Sequence, residues 1–335
     1  MTLLITRRKR RNWSAAVAAV CGTIGTMCDS VVLVTGGAGF IGSNLVDALL
    51  ERGYRVRVLD NLSTGKRSNL PDDPRVQLIV GDIADRDVVD DAVRGCVAVV
   101  HLAAVASVQA SVEDPVGTNR TNLVGTIHVC EAMRKAGVKR IVFASSAAVY
   151  GNNGEGEAID ERTEKAPLTP YAADKLASEH YLQFFHRKDG IEPAIFRFFN
   201  IYGPRQDPSS PYSGVISIFA ERAQRGIPIV VFGDGQQTRD FVFVGDLVHV
   251  LVQAVETTEV PEQPVNVGLN RSTTLNELLQ AVGDVCGGLP SVRHEASRAG
   301  DIRHSRARNT LLLRHYRLSD PPVALREGLA RLMGR

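Results

Sequence analysis

Tyr171 and Lys175 lie four residues apart in a stretch with helical patterning, so on a helix they share one face and bring an ammonium near a phenol. A neighbouring positive charge lowers a phenol's pKa and turns it into a general base able to take a proton from a hydroxyl. A Tyr-x-x-x-Lys pair is common, and read alone it also describes an aromatic ring packed beside a surface lysine. The segment Ser145-Ser146-Ala147-Ala148-Val149-Tyr150 supplies context. It follows a β-branched run and places hydroxyls at the carboxyl end of a strand, the side on which open α/β sheets bind ligands.

A second cluster lies earlier in the chain. Thr35-Gly36-Gly37-Ala38-Gly39-Phe40-Ile41-Gly42 ends an apolar strand and opens a helix, where bare glycines let backbone N–H groups and the helix dipole approach a pyrophosphate. An ordinary tight turn has the same glycines, but here the strand, the helix and an acid at the right distance coincide. Asp60 closes the second strand 24 residues after Gly36, where a carboxylate accepts hydrogen bonds from the adenosine ribose hydroxyls. That favours NAD over NADP, whose 2′-phosphate Asp60 would repel, although Lys66 and Arg67 are close in sequence. Asn61 follows Asp60; Asp82 and Ile83 end the third strand toward the adenine. Leu102, Ala103 and Ala104 end the fourth on the nicotinamide side. His101 reads as a structural hydrogen-bonding residue.

The elements that must position these groups alternate. Short β-branched runs (Val31 to Val34, Arg55 to Asp60, Val76 to Val80, Ala98 to His101, Arg140 to Ala144, Ala194 to Phe198) are separated by amphipathic stretches at Ile41 to Arg52, Asp85 to Val93, Val116 to Ala136 and Tyr171 to Lys188. Gly53 and Gly137 stand just past two helix ends, as C-cap residues do. The pattern predicts an α/β fold: a doubly wound parallel sheet over residues 30–200. Beyond Gly203, Pro204, Pro208, Pro211 and Gly214 break the regularity and mark a smaller mixed α/β domain over residues 201–335, with some segments returning to the first.

Composition limits the alternatives. The 335 residues are 44% hydrophobic and 23% charged, ordinary for a globular chain of two domains and unlike collagen, a disordered tail or a disulfide-stapled miniprotein. A formal charge of +2 is too near balance for the chain-wide field of a nucleic-acid binder. The basic residues gather at the ends, in Arg7 to Arg11 and in ten arginines from Arg293 onward, around a mildly acidic body. Five scattered cysteines form no C-x-x-C pair, so they read as reduced, mostly buried thiols rather than a disulfide framework or a metal site. No apolar run is long enough for a transmembrane helix. Residues 1–29 have the outline of an export signal, but their apolar part is short and alanine-rich. They read instead as a disordered extension or a start placed upstream of Met27.

Taken together, the glycine motif, Asp60, the serine segment and Tyr171 with Lys175 resemble the extended short-chain dehydrogenase/reductase family, specifically its nucleotide-sugar 4-epimerases. The resemblance runs from Val31 to Arg335 and includes Leu59 to Gly65, Arg197 to Arg205, Gly233 to Phe241 and Arg298 to Asp301. It implies a Rossmann-type domain with a C-terminal substrate domain, bound NAD, a UDP-sugar substrate, a homodimer and a cytoplasmic setting. Ser146 and Tyr171 would handle the C4 hydroxyl proton and Lys175 the nicotinamide ribose. Ser145 would join them on the substrate side, and Asn200, Arg239, Arg298 and Asp301 would grip the nucleotide diphosphate. Dehydratases of the family carry an Asp-Glu pair after the residue matching Ser146, and glucuronate decarboxylases a Glu at the position of Ala148. Both Ala147 and Ala148 are alanine here, which favours epimerisation. Ser305 matches the gate position of the hexose pocket, where a small side chain resembles enzymes admitting an N-acetyl group at C2. Ser107 and Thr274 to Leu278 resemble the same group. Arg303 and His304 leave open a uronic acid sugar as substrate, and a catalytically silent NAD-binding protein is the alternative from another class.

Overall fold

A computed structural model describes residues 30–153, 156–208, 214–297 and 302–335. The N-terminal extension, Arg298 and Asp301 therefore lie outside the described residues. The central sheet has seven parallel strands: β1 (Val31–Thr35), β2 (Arg55–Asp60), β3 (Val76–Val80), β4 (Cys96–His101), β5 (Arg140–Ser146), β6 (Glu192–Phe198) and, out of sequence order, β11 (Val265–Val267). The spatial order is β11-β6-β5-β4-β1-β2-β3, so the winding direction reverses between β1 and β4. A cleft opens at such a reversal, beyond the carboxyl ends of the strands.

Strand alternation feeds two cores. Val32, Val34, Val56, Val58, Val100 and Val142 face one side, packed with Leu45 and Leu49 of α1 (Phe40–Glu51) and with Leu247 and Leu251 of α8 (Val244–Glu256). Leu33, Leu59, Val99, Ile141 and Phe143 face the other, against α2 (Arg86–Val93), α5 (Gly125–Ala136) and α6 (Pro170–Asp189). Because both faces are covered, the strands read as nearly continuous apolar runs rather than as alternating ones. Helix α6 starts on Thr169, whose hydroxyl accepts from the Ala172 N–H, with Pro170 at its first position; it stops at Gly190, with φ 67°.

The long helix expected over Val116 to Ala136 is interrupted. It runs as α4 (Pro115–Asn119), a wide π turn at Arg120–Val124, and then α5. Within the wide turn, buried Asn122 bonds both backbone groups of Val105, accepting from its N–H at 2.8 Å and donating to its carbonyl at 3.1 Å. The Asn122 carbonyl accepts from the Thr126 and Ser178 hydroxyls instead. Such π turns collect where a helix must serve a neighbouring loop. The short helix α3 (Val108–Glu113), which the sequence pattern did not separate, packs on α6 with α4.

The C-terminal half is built of small sheets. Strand β7 (Asn200–Tyr202) pairs in parallel with β10 (Phe241–Phe243), β9 (Thr238–Arg239) runs antiparallel to β12 (Thr273–Thr274), and β8 (Ile229–Phe232) pairs with β13 (Val292–Glu295). Helices α7 (Val215–Gln224) and α9 (Leu275–Cys286) cover them. From this half, β11 crosses back to extend the main sheet beside β6, and α8 covers α1.

Candidate active site

The glycine turn is shaped by close approach. Gly36 has φ 67°, and a Cβ there would sit 2.8 Å from the Ala103 nitrogen; a Cβ on Gly42 would sit 2.3 Å from the Gly36 carbonyl oxygen. The turn, the first turn of α1 and the Leu102–Ala104 segment are thus brought into contact. Gly39 caps α1 without a side-chain hydrogen bond, which leaves the helix's first N–H groups to an anion. Asp60 is held at the end of β2 by the Ala38 N–H at 2.9 Å and the Leu62 N–H at 2.8 Å. Asn61 donates to Asp82 at 3.2 Å, so these two groups share one rim of the cleft. Ile83 turns its side chain into the core, only 4% exposed, which leaves its backbone for any contact with a base. Lys66 pairs with Asp207 at 2.8 Å. Its ammonium, which the sequence left as a partner for a 2′-phosphate, is therefore already engaged. The cradle suits a dinucleotide diphosphate, with a carboxylate rather than a cation at the ribose.

Across the sheet, β5 ends in Ser146 and a 3-10 turn, Ala147–Tyr150. Ser146 lies beside Tyr171, close enough for its hydroxyl to lower the phenol's pKa, and its oxygen accepts the Ala148 N–H at 3.2 Å. Lys175 is buried with its ammonium 6.0 Å from the Tyr171 ring centre, donating to the Ala144 carbonyl at 2.7 Å and lying 4.9 Å over the Phe143 ring. Burial holds the Lys175 ammonium down to about 8, partly offset by Asp174 and Glu179. Burial also raises the Tyr171 phenol above its ordinary value, while the neighbouring Ser146 hydroxyl pulls it back. Without a bound ligand the phenol is therefore the stable form. A further positive charge at the cleft, such as an oxidised nicotinamide ring, is what would tip it to phenolate.

One assignment needs correcting. Ser145 was expected on the substrate side beside Ser146, but its hydroxyl points inward to Glu179 at 2.5 Å, and the residue is 2% exposed. Successive residues of a strand face opposite sides, so the two serines cannot share the cleft. His101 is structural as expected: its ring nitrogens bond Thr35 at 2.7 Å and Thr126 at 3.0 Å. Burial, with help from the Lys175 charge, holds it down to about 3, so it stays neutral.

The second half brings Asn200, Arg239 and Ser305 together. The Asn200 N–H donates to the Asp240 carbonyl at 3.1 Å, and Arg239 precedes Asp240. The Ser305 N–H donates to the Thr238 carbonyl at 3.2 Å, which places the gate residue beside β9. Sequence reasoning did not single out Asp240. It is fully buried, with one carboxylate oxygen accepting from the Leu269 N–H at 2.9 Å and the other from the Ala307 N–H at 3.1 Å. This carboxylate ties the loops behind Arg239 and Ser305; a buried acid next to the arginine was its only sequence signal. Ser107 uses its oxygen to cap α3, accepting the Ala110 N–H at 2.9 Å. Thr274 and Glu277 form a reciprocal capping box on α9. Arg303 pairs with Asp234 at 3.0 Å and His304 bonds Thr238 at 3.2 Å, so both groups suggested for a uronate carboxyl have protein partners.

Residues 32–268, which hold the glycine cradle and the Ser146–Tyr171–Lys175 group, match the NAD dependent epimerase/dehydratase family. The chain belongs to that family. NAD is accordingly its cofactor. The UDP-glucose 4-epimerase of Mycolicibacterium smegmatis is 39% identical over 309 residues, 89% of this chain and 96% of its own. Among solved structures, the Thermus thermophilus UDP-glucose 4-epimerase in complex with NAD is 41% identical, with a TM-score of 0.83, covering 91% of this chain and 98% of its own. The UDP-N-acetylglucosamine 4-epimerase of Methanobrevibacter ruminantium, solved with UDP-N-acetylmuramic acid, is 36% identical with a TM-score of 0.86 over 91% and 97% of the two chains. The seven-stranded sheet with small C-terminal sheets is the fold of these family members.

Proposed function

We propose that this NAD-dependent nucleotide-sugar epimerase inverts C4 of UDP-sugars, with UDP-N-acetylglucosamine and UDP-N-acetylgalactosamine as its main pair and UDP-glucose and UDP-galactose as secondary substrates. The observation that carries the reaction type is Ala147 and Ala148. They form the turn directly after Ser146, where elimination or the family's decarboxylation would need an acid or base. Ser146 holds the C4 oxygen, Tyr171 takes its proton and later returns it, and Lys175 holds the nicotinamide ribose. NAD, held by the glycine cradle, Asp60 and Lys175, would supply reversible oxidation at C4, and with the keto sugar turning in between, no net redox results. Asn200 and Arg239, with Arg298 and Asp301 from outside the described residues, hold the nucleotide diphosphate portion of the substrate, in which Arg239 suits a bidentate phosphate clamp.

Sugar choice rests on Ser305. A serine beside β9 leaves room for an acetamido group, while a roomy wall does little to exclude the smaller hexose. The test is to incubate the purified enzyme, without added reductant, with UDP-N-acetylglucosamine and separately with UDP-glucose, following the C4 epimers by proton NMR. Both pairs interconvert, and Ser305→Tyr loses on the order of 100-fold in kcat/KM for the N-acetylated pair while keeping UDP-glucose. No epimer from either sugar would sink the reading. An unchanged selectivity in Ser305→Tyr would remove Ser305 as the gate.

The enzyme also acts as a cytoplasmic homodimer in this reading. Val112 of α3, Val116 of α4, and Tyr181 and Phe184 of α6 are exposed on helices that pack against one another, Val116 at 79%. A second copy covering this face would form a helical bundle. Sedimentation velocity gives the dimer mass for the native chain and the monomer mass for the double variant Tyr181→Glu/Phe184→Glu. A monomeric native chain overturns the assignment.

A further inference from the structure

We infer that Glu179 is a positioning residue: buried one helical turn beyond Lys175, it joins the serine turn to α6 and keeps Lys175 cationic within the cleft. Lys175 and Glu179 share a face of α6 and are 3% and 4% exposed. One oxygen of Glu179 accepts from the Ser145 hydroxyl at 2.5 Å and from Arg197 Nε at 2.9 Å; the other accepts from Arg197 Nη2 at 2.6 Å. Arg197 Nη1 donates to the Tyr150 hydroxyl at 2.8 Å, and that hydroxyl donates to Asn266 at 2.6 Å. A single carboxylate thus anchors β5 on one side of Ser146, and through Arg197 and Tyr150 the turn on the other side, to the helix carrying Tyr171 and Lys175. Such a network is satisfied only as a unit.

The charges around Lys175 assign Glu179 its electrostatic part. From α6 come Tyr171, Asp174 and Glu179; from β4 the neutral His101; from β5 the Ala144 carbonyl and the Phe143 ring; from β6 Arg197, behind Glu179. Asp174 spends one oxygen on Asn119 at 2.6 Å. Glu179 is the carboxylate that pairs with buried Arg197 and, after Asp174, supports the Lys175 charge, so removing its charge withdraws that support. A neutral lysine would be a weaker anchor for a ribose hydroxyl and no electrostatic help to the Tyr171 phenolate.

What Lys175 does in turnover rests on the epimerase reading, but the test reads Lys175 itself. Lysines are isotopically labelled at Cε, the Lys175 resonance is identified by its loss in Lys175→Arg, and its chemical shift is followed against pH without substrate. The native midpoint lies at about 8. Glu179→Gln keeps the size but not the charge, gives up one of the two acceptor ends that meet Arg197 and Ser145, and lowers the midpoint. Glu179→Asp keeps the charge and leaves the midpoint near the native value. In turnover, the high-pH loss of activity moves to lower pH in Glu179→Gln only. An unmoved midpoint in Glu179→Gln, or a Glu179→Asp midpoint displaced as far as that of Glu179→Gln, overturns the proposal, since a merely structural role lowers turnover at every pH without moving Lys175. If Glu179→Gln does not fold, Glu179→Asp carries the test: turnover falls as the shorter arm loosens the serine turn while the Lys175 midpoint holds, and unchanged turnover there overturns it. Failure of the native enzyme to form any C4 epimer would refute the epimerase reading alone and leave the titration interpretable.

Discussion

Tyr171→Phe is expected to lower kcat for C4 inversion by on the order of 10³-fold, with NAD still bound. The phenol oxygen lies beside the Ser146 hydroxyl, and in the proposed reaction it alone exchanges a proton with the sugar. The substitution removes that oxygen and little else: Thr169 still caps α6, Pro170 still opens it, and Lys175 keeps its bond to the Ala144 carbonyl. Loss of catalysis should therefore separate from loss of fold or cofactor. Proton NMR of the epimers measures the first, and the nicotinamide nucleotide content after gel filtration measures the second. Turnover near the native rate would rule out Tyr171 as the base, while loss of NAD along with activity would point to a structural failure.

Gly42→Ala is the second large effect, and its sign is the informative part. Within an exposed helix, glycine to alanine stabilises by about 1 kcal/mol. Here the new Cβ would lie 2.3 Å from the Gly36 carbonyl oxygen and 2.6 Å from the Gly37 Cα. Both are backbone atoms of the cradle, with no flexible side chain to move aside. Overpacking of this kind costs about 1–3 kcal/mol and here pushes the turn off α1, so a lower Tm and loss of bound NAD are expected together. Thermal unfolding and nucleotide content of the purified variant check both. A more stable variant that retains NAD would show that the close contact at Gly42 does not shape the cradle.

The sequence located the six strands Val31 to Phe198 and the pairing of Tyr171 with Lys175 because each depends on local periodicity. It also located the cradle, since strand, glycines and helix are contiguous there. Its reading of the serine segment was half right for a reason equally local: alternation along β5 allows only one of Ser145 and Ser146 to face the cleft. The break in the Val116 to Ala136 helix was not legible, because the π turn accompanies a contact with Val105 on a different segment. Strand β11 was equally hidden, since a three-residue Val-Asn-Val carries almost no pattern.

What the sequence by itself determined is the chemistry on offer: a dinucleotide cradle, a carboxylate for the ribose, and a phenol, a hydroxyl and an ammonium at the ends of adjacent elements. The tertiary structure alone decided how those groups are held. It set Glu179 against Ser145 and Arg197, Tyr150 against Asn266 across 116 residues, and the Ser305 backbone against Thr238. Helical and strand periods fix which neighbours share a face over a few residues. Contacts across a hundred depend on which strands lie side by side, and that is settled only when the whole sheet buries both of its faces.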